Sequence, residues 1–332
     1  MSQSASLPDI DGVSGSQISA WLRAAIAAPS IHNSQPWLFR LHDTGVTEII
    51  ADRRRQLPAT APDGHEMYVS VGAALLNLRV AMLAGGHRPL VRLLPDPARP
   101  DLAATVRIGP PVSATPQISA LAEAIPRRQT NRRPFGTTPI APPVLHDLAA
   151  AARSEGSTLV MLDATTTTAV LGVARTAEHR RRADPRYRQE LAEWTSPRPG
   201  RTDGVPATAF GPRPQLAALP LRDFDLAHTT DRRVARFETT PSLGVLYTPG
   251  DTTQDWLKAG QALERVLLTA TAHGLATTPL SQAIEIPQLR QLLNAPAGMA
   301  QSIVRFGYAG RVRQTPRRPL TDVLLPGSPA EE

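Results

Sequence analysis

At 332 residues, 41% of them hydrophobic, the chain can bury a substantial core and is too apolar to be globally disordered. With no cysteine, disulfides, thiol catalysis, iron–sulfur clusters and cysteine-ligated zinc are excluded. The net charge of +7 is almost wholly arginine, with Lys258 the sole lysine. These charges are spread over many segments and aromatics reach only 4%, so no stacking platform for nucleic acid is expected.

No apolar run approaches the ~20 residues of a membrane span. The opening "MSQSASLPDIDG" shows neither the basic nor the apolar region of a secretory leader, so a cytoplasmic protein is expected. After a helix-like start comes "AAPSIHNSQPW", Ala27 to Trp37. Pro29 and Pro36 restrict its backbone, and Ser30, Asn33, Ser34 and Gln35 offer uncharged donors and acceptors between them. Such groups suit a heteroaromatic ring, and they equally suit a self-satisfied polar turn. His32 in this loop has no partner in sequence and reads more readily as structural than as a general base.

Val71 to Pro89 carries apolar residues at helical spacing and ends on Gly85–Gly86, a glycine stop. "LVRLLPD" and "AATVRIG" then read as strands. The outline recurs at Ala259 to Pro279. Gly72, Ala74, Leu75 and Gly86 match Gly260, Ala262, Leu263 and Gly274, each 188 positions on (260 − 72 = 188), and "SIVRFGYAG" takes the place of the later strand. Two unrelated core helices are the plainer explanation. The repeat divides the chain into a half at 1–125 and a half at 126–332, with an insertion at about 176–240. Within that insertion Thr176 to Trp194 reads as a basic helix interrupted near Pro185. Thr195 to Gln215 is too rich in proline and glycine for regular structure and suits a lid or a disordered loop.

"RRQTNRRPF" opens the second half. In an extended segment Arg128, Thr130 and Arg132 point the same way, two guanidiniums and a hydroxyl suited to phosphate; a solvated linker fits the same residues. "GLATTPLSQ" reads as a turn that exposes backbone N–H groups, or as a simple polar connection. Arg317 and Arg318 in "TPRRPL" could join a phosphate site or form a charged tail. No G-x-G-x-x-G, Walker A or G-x-S-x-G occurs, and the eight histidines form no metal-type pair.

Together these stretches resemble the FMN-dependent nitroreductase family. "APSIHNSQPW" looks like its P-S-x-x-N-x-Q-P-W loop and "RRQTNRRPF" like its R-R-x-S-x-R-x-F opening. "GLATTPLSQ" and "RFGYAG…TPRRPL" resemble its G-L-x-T-x-P-x-x-G turn and basic C-terminal segment. Further details are closer to the Acg-like branch, in which one chain carries two nitroreductase-like halves.

The resemblance implies an α+β fold, each half with a mostly antiparallel sheet and helices, packed as an internal pseudo-dimer that is a monomer or weak homodimer. It implies one FMN site shared between the halves. Arg128, Thr130 and Arg132, with Arg317 or Arg318, would hold the phosphate, and Pro29, Ser30, Asn33 and Gln35 would meet the flavin from the other half. Pro279, Leu280, Ser281 and Gln282 would border the ring; Gln282 stands where the family usually has glycine. The implied activity is electron transfer from NAD(P)H through FMN to a quinone, nitroaromatic or similar acceptor, with no side-chain acid or base required. A flavin-sequestering protein with a lidded site is the alternative.

Overall fold

The computed structural model describes residues 7–215 and 219–327. The first six residues of the N-terminal stretch, 216–218 of the insertion and 328–332 lie outside the described residues. The elements begin with α1 (Gly15–Ile26), β1 (Trp37–Leu41), β2 (Val46–Ala51), α2 (His65–Ala84), β3 (His87–Leu93), β4 (Leu102–Pro111) and α3 (Pro116–Ala124). Next come α4 (Pro142–Arg153), β5 (Thr158–Met161), α5 (Ala164–Ala183), α6 (Pro185–Thr195) and the short strands β6 (Arg213–Pro214) and β7 (Val234–Ala235). The chain closes with β8 (Ser242–Thr248), α7 (Thr253–Ala272), β9 (Ala276–Pro279), α8 (Pro287–Gln291), β10 (Met299–Gly307) and β11 (Leu324–Leu325).

Helices with mostly antiparallel sheets make this an α+β protein, as expected. One sheet has the order β11-β1-β2-β4-β3 and the other β5-β8-β10-β9, while β6 and β7 pair alone. The first sheet is not built from the N-terminal residues alone. After β10 the chain returns, and β11 adds to it in parallel beside β1, with Phe39 N–H donating to Val323 C=O at 2.7 Å. Local signals set the ends of the elements. Thr252 and Asp255 form a reciprocal capping box on α7, and Gly86 and Gly274, at φ of 85° and 75°, follow the ends of α2 and α7 in the left-handed region. The α5–α6 break falls at Asp184, whose carboxylate accepts from Arg186 N–H at 2.8 Å.

The helix expected from Val71 starts at His65, and 16 of its 20 residues are buried. It therefore has no polar stripe. Its most apolar window, of mean hydropathy 1.6, would suffice to cross a membrane by length and composition, contrary to the expectation of no such run. Since 78% of that window is buried inside the protein, it reads as a core helix. Its main partner is α7. A Cβ on Gly72 would lie 2.2 Å from Leu257 C=O, and one on Gly260 would lie 2.0 Å from Val69 C=O. Only glycine lets the two backbones approach so closely. Side chains cross with them: Leu257 joins the core around β1 and α2, and Val69 joins the core around β8 and α7.

Helices α5 and α6 dock on the N-terminal part of the chain. Glu190 of α6 accepts from Ala59 and Thr60 N–H at 2.9 Å each, and Arg181 of α5 donates to Ala59 C=O at 2.6 Å. Tyr187, Leu191, Val205, Phe210 and Phe224 make a small core of their own.

Candidate functional site

The loop between α1 and β1 is wound unusually tightly. His32, Asn33 and Gln35 have φ of 48°, 54° and 51°, a conformation costly for residues with a side chain, most of all outside Asn. Neighbours hold it there. Ser30 supplies two acceptors, its carbonyl to Asn33 N–H at 3.0 Å and its hydroxyl to Gln35 N–H at 2.9 Å. Ile31 N–H donates to the Ser70 hydroxyl of α2 at 3.2 Å. Asn33 ties three segments together, donating to Gly204 C=O at 2.9 Å and Pro316 C=O at 3.1 Å and accepting from Arg317 at 2.9 Å.

The arginine segment runs irregularly beside β9, with Asn131 N–H donating to Thr277 C=O at 2.9 Å. Arg128, Thr130, Arg132 and Arg317 meet Pro29, Ser30 and Asn33 around one cavity of about 650 Å³, open solvent included. Arg133 and Arg313 also line it, and among the described residues no carboxylate does. Burial lowers the Arg132 guanidinium to about 10, helped by Arg222. Burial and Arg128 lower Arg317 to about 9 against the pull of Glu264, so both still carry charge at neutral pH. Arg132 also donates to Ala209 C=O at 3.1 Å and lies 4.6 Å over the Phe224 ring.

Pro29, Ser30, Thr130 and Arg132 also line a second cavity of about 830 Å³, so the two adjoin. Pro279, Leu280, Ser281 and Gln282 form one of its walls. The segment before them is strand β9, not the expected turn, because Ala276–Pro279 pairs antiparallel with β10. Gln282 is buried, its amide donating to Pro220 C=O at 3.0 Å.

Two expected site residues are elsewhere. Gln35 is fully buried but lines neither cavity; it donates to Thr202 C=O at 2.9 Å and accepts from Arg318 N–H at 2.8 Å. Arg318 likewise lines neither, and its side chain reaches Asp322 C=O at 2.6 Å.

The insertion supplies residues that no local motif marks. Arg222 and Phe224 reach the second cavity from the chain after Pro220. Arg222 donates to Tyr187 Oη at 2.8 Å, to Ser281 Oγ at 3.1 Å and to Glu285. Burial opposes its charge, but Glu285, Tyr187 and Glu178 more than offset this and hold it cationic. Its Nη1 is 2.9 Å from His32 Nε2; guanidinium can only donate, so Nε2 accepts and Nδ1 carries the imidazole proton.

Burial, then Arg222, Arg132 and Arg181, push His32 well below its ordinary 6.5. The unfolded chain therefore takes up a proton here below pH 6.5 while the folded chain resists it, so this contribution to stability is lost as pH falls below that value. Thermal melts of the native protein and of His32→Asn from pH 7 to pH 5 should show a steeper acid loss in the native protein. Equal slopes would refute it.

The Nitroreductase family model matches residues 125–308, more than half of the chain. A Mycobacterium tuberculosis protein named "Putative NAD(P)H nitroreductase Rv3131" is 34% identical over 314 residues, covering 91% of this chain and 89% of its own. Another from that organism, "Putative NAD(P)H nitroreductase acg", is 30% identical over 315 residues, covering 92% and 95%. A solved nitroreductase with bound FMN from Bacteroides fragilis shares 15% identity, covers 57% of this chain and 88% of its own, and superposes at a TM-score of 0.35, too loosely to bear on the site. The family match and the near full-length relatives agree: the chain belongs to the nitroreductase family.

Proposed function

We propose that the protein binds one FMN across the two adjoining cavities and works as an NAD(P)H-dependent oxidoreductase for a quinone, nitroaromatic or similar acceptor. One observation carries this reading: Arg128, Arg132 and Arg317 converge in a carboxylate-free cavity that adjoins a second one walled by Pro279 to Gln282. Guanidinium forks match phosphate oxygens, and three of them meet a hydroxyl, Thr130, in the first cavity. The donor set fits a mononucleotide whose phosphate is charged and whose ring is mostly neutral. Membership of the family and the names of the relatives point the same way.

Bound there, the flavin would supply the hydride chemistry. The chain's own part is to hold and shield it. Arg128, Arg132 and Arg317, with Thr130, would grip the phosphate; Pro29 and Ser30 would pack between the two compartments. Asn33 and Gln35 act one step back, fixing the strained loop through Gly204, Thr202 and the Arg317–Arg318 segment.

The proposal includes two related halves, 1–125 and 126–332 with the insertion at about 176–240. The contact of Gly72 with Gly260, and the left-handed Gly86 and Gly274, fall at the repeat positions and support it.

A second reading has its own support. Arg222 and Phe224 of the insertion wall the ring cavity, and Gly204 and Ala209 close on Asn33 and Arg132, as in a lidded store of flavin. One experiment separates the readings. The protein loaded with FMN should be yellow, be bleached anaerobically by NADPH and regain colour with menadione, at turnover above that of free FMN. Colour without such turnover favours storage, and no colour sinks both.

A further inference from the structure

Behind the arginine cavity, and not lining it, α7 places Glu264 with its side chain wholly buried. Its Oε1 is 3.4 Å from Arg128 Nε, and among the described residues neither oxygen has a well-aligned hydrogen bond, the Asn77 amide making at most a weak one. Arg128 and Arg317 are the charged groups that face it. From α2 the neutral Asn77 approaches, its own amide donating to Ala24 C=O at 3.0 Å. Arg79 of α2 and Arg265 of α7 are paired instead with Glu155. Arg128 and Arg317 both reach Ala27 C=O, at 3.4 and 3.3 Å. Two guanidiniums thus share one backbone acceptor, and a single carboxylate, paired with Arg128 and felt by Arg317, lies behind them, leaving an excess positive charge facing the cavity.

A buried carboxylate so weakly satisfied is expensive unless its charge is needed. Without it, Arg128 and Arg317 would repel each other in a buried setting. With it, an arriving anion meets a carboxylate just behind the guanidiniums that bind it. We propose that Glu264 is the exchangeable counter-charge of this anion site: ionised, it positions Arg128 and Arg317, and it takes up a proton from solvent when a phosphate dianion binds them. The identity of the ligand as FMN rests on the function proposed above; the role of Glu264 requires only a phosphate.

Burial already raises the Glu264 carboxyl to about 7, with Arg128 opposing, so proton uptake lies within reach of neutral pH. A dianion nearby raises it further. Binding and protonation then favour each other, and phosphate affinity falls as pH rises through that range. Ionisation of the phosphate itself, with its second pKa near 6, has the opposite sign, so the two effects are separable.

The test is isothermal titration of FMN and riboflavin into the native protein and into Glu264→Gln, in phosphate-free buffers of different ionisation enthalpy. With about one unit of coupling, FMN should bind the native protein roughly threefold to tenfold more weakly at pH 8.5 than at pH 6.5. Riboflavin, lacking the phosphate, should change less than about twofold. At pH 7.5 the native protein should take up about half a proton more per FMN than Glu264→Gln, which should bind FMN more tightly than the native protein at high pH. Equal proton counts and parallel pH slopes in the two proteins overturn the proposal. Should Glu264→Gln not fold, equal pH slopes for FMN and riboflavin in the native protein overturn it alone. If neither flavin binds, the flavin reading fails by itself, and the same proton count with inorganic phosphate decides the role of Glu264.

Discussion

Gly260→Ala should cost about 3 kcal/mol or more of stability, whereas Gly172→Ala should gain about 0.5–1 kcal/mol. Both glycines are helical, so intrinsic propensity favours alanine at each. At Gly172, in α5, a Cβ meets nothing within 4 Å and the propensity gain is realised. At Gly260 it would meet Val69 C=O at 2.0 Å and Gly72 Cα at 2.9 Å. Neither contact is the tip of a flexible side chain; both are helix backbone. Relief requires α2 and α7 to separate along a shared face that the core around β1 and α2 and the core around β8 and α7 both straddle. Paired chemical melts of the two variants read the difference directly, and a Gly260→Ala protein as stable as its parent would show that the helices do not cross here. Because Ser70 of α2 and Thr278 beyond α7 line the ring cavity, flavin binding should weaken in the same variant.

Arg317→Ala should weaken FMN binding by about tenfold to a hundredfold, the value of one charge-assisted hydrogen bond of about 1.5–3 kcal/mol. Riboflavin affinity should fall far less. Arg318→Ala, one residue along, should leave the FMN-to-riboflavin ratio within about threefold of the parent, because its guanidinium is engaged with Asp322 and Gln35 carbonyls and does not line the cavity. Arg317 lines the cavity and binds Asn33, while Arg318 turns away to Asp322 and uses its backbone N–H on Gln35. Fluorescence titration of both flavins against both variants measures the ratio. Equal losses in the two variants would place the phosphate outside this cavity.

The opening loop shows how far local signals reach. Two prolines and a run of small polar side chains mark it as a stiff, functional-looking segment, and it does line the candidate site through Pro29, Ser30 and Asn33. Its polar groups were expected to meet a ring. In the structure, much of that capacity is spent on the chain itself: Asn33 and Gln35 serve Gly204, Thr202 and the C-terminal segment. A residue type reveals which bonds are available but not which partner takes them. The arginine pattern was legible for the same reason and to the same extent. Arg128, Thr130 and Arg132 share a cavity, yet Gln129 and Arg133 line it too, because the segment is irregular rather than an ideal strand. "GLATTPLSQ" reads as a turn or a polar connection, because its threonines and proline leave open whether a neighbouring strand supplies the pairing that β10 in fact provides.

What the sequence by itself determined is whatever depends on neighbours within a few residues or on period: the capped helices, the glycine stops, the break at Asp184–Pro185 and the absence of thiol chemistry. Only the tertiary structure decided that Arg317 and not Arg318 enters the cavity, that Arg222 meets His32 across 190 residues, and that β11 returns to the first sheet. Those pairings have no local signature. Each is chosen by close packing, which accepts one arrangement of distant side chains because the alternatives would leave buried charges or carbonyls unpaired.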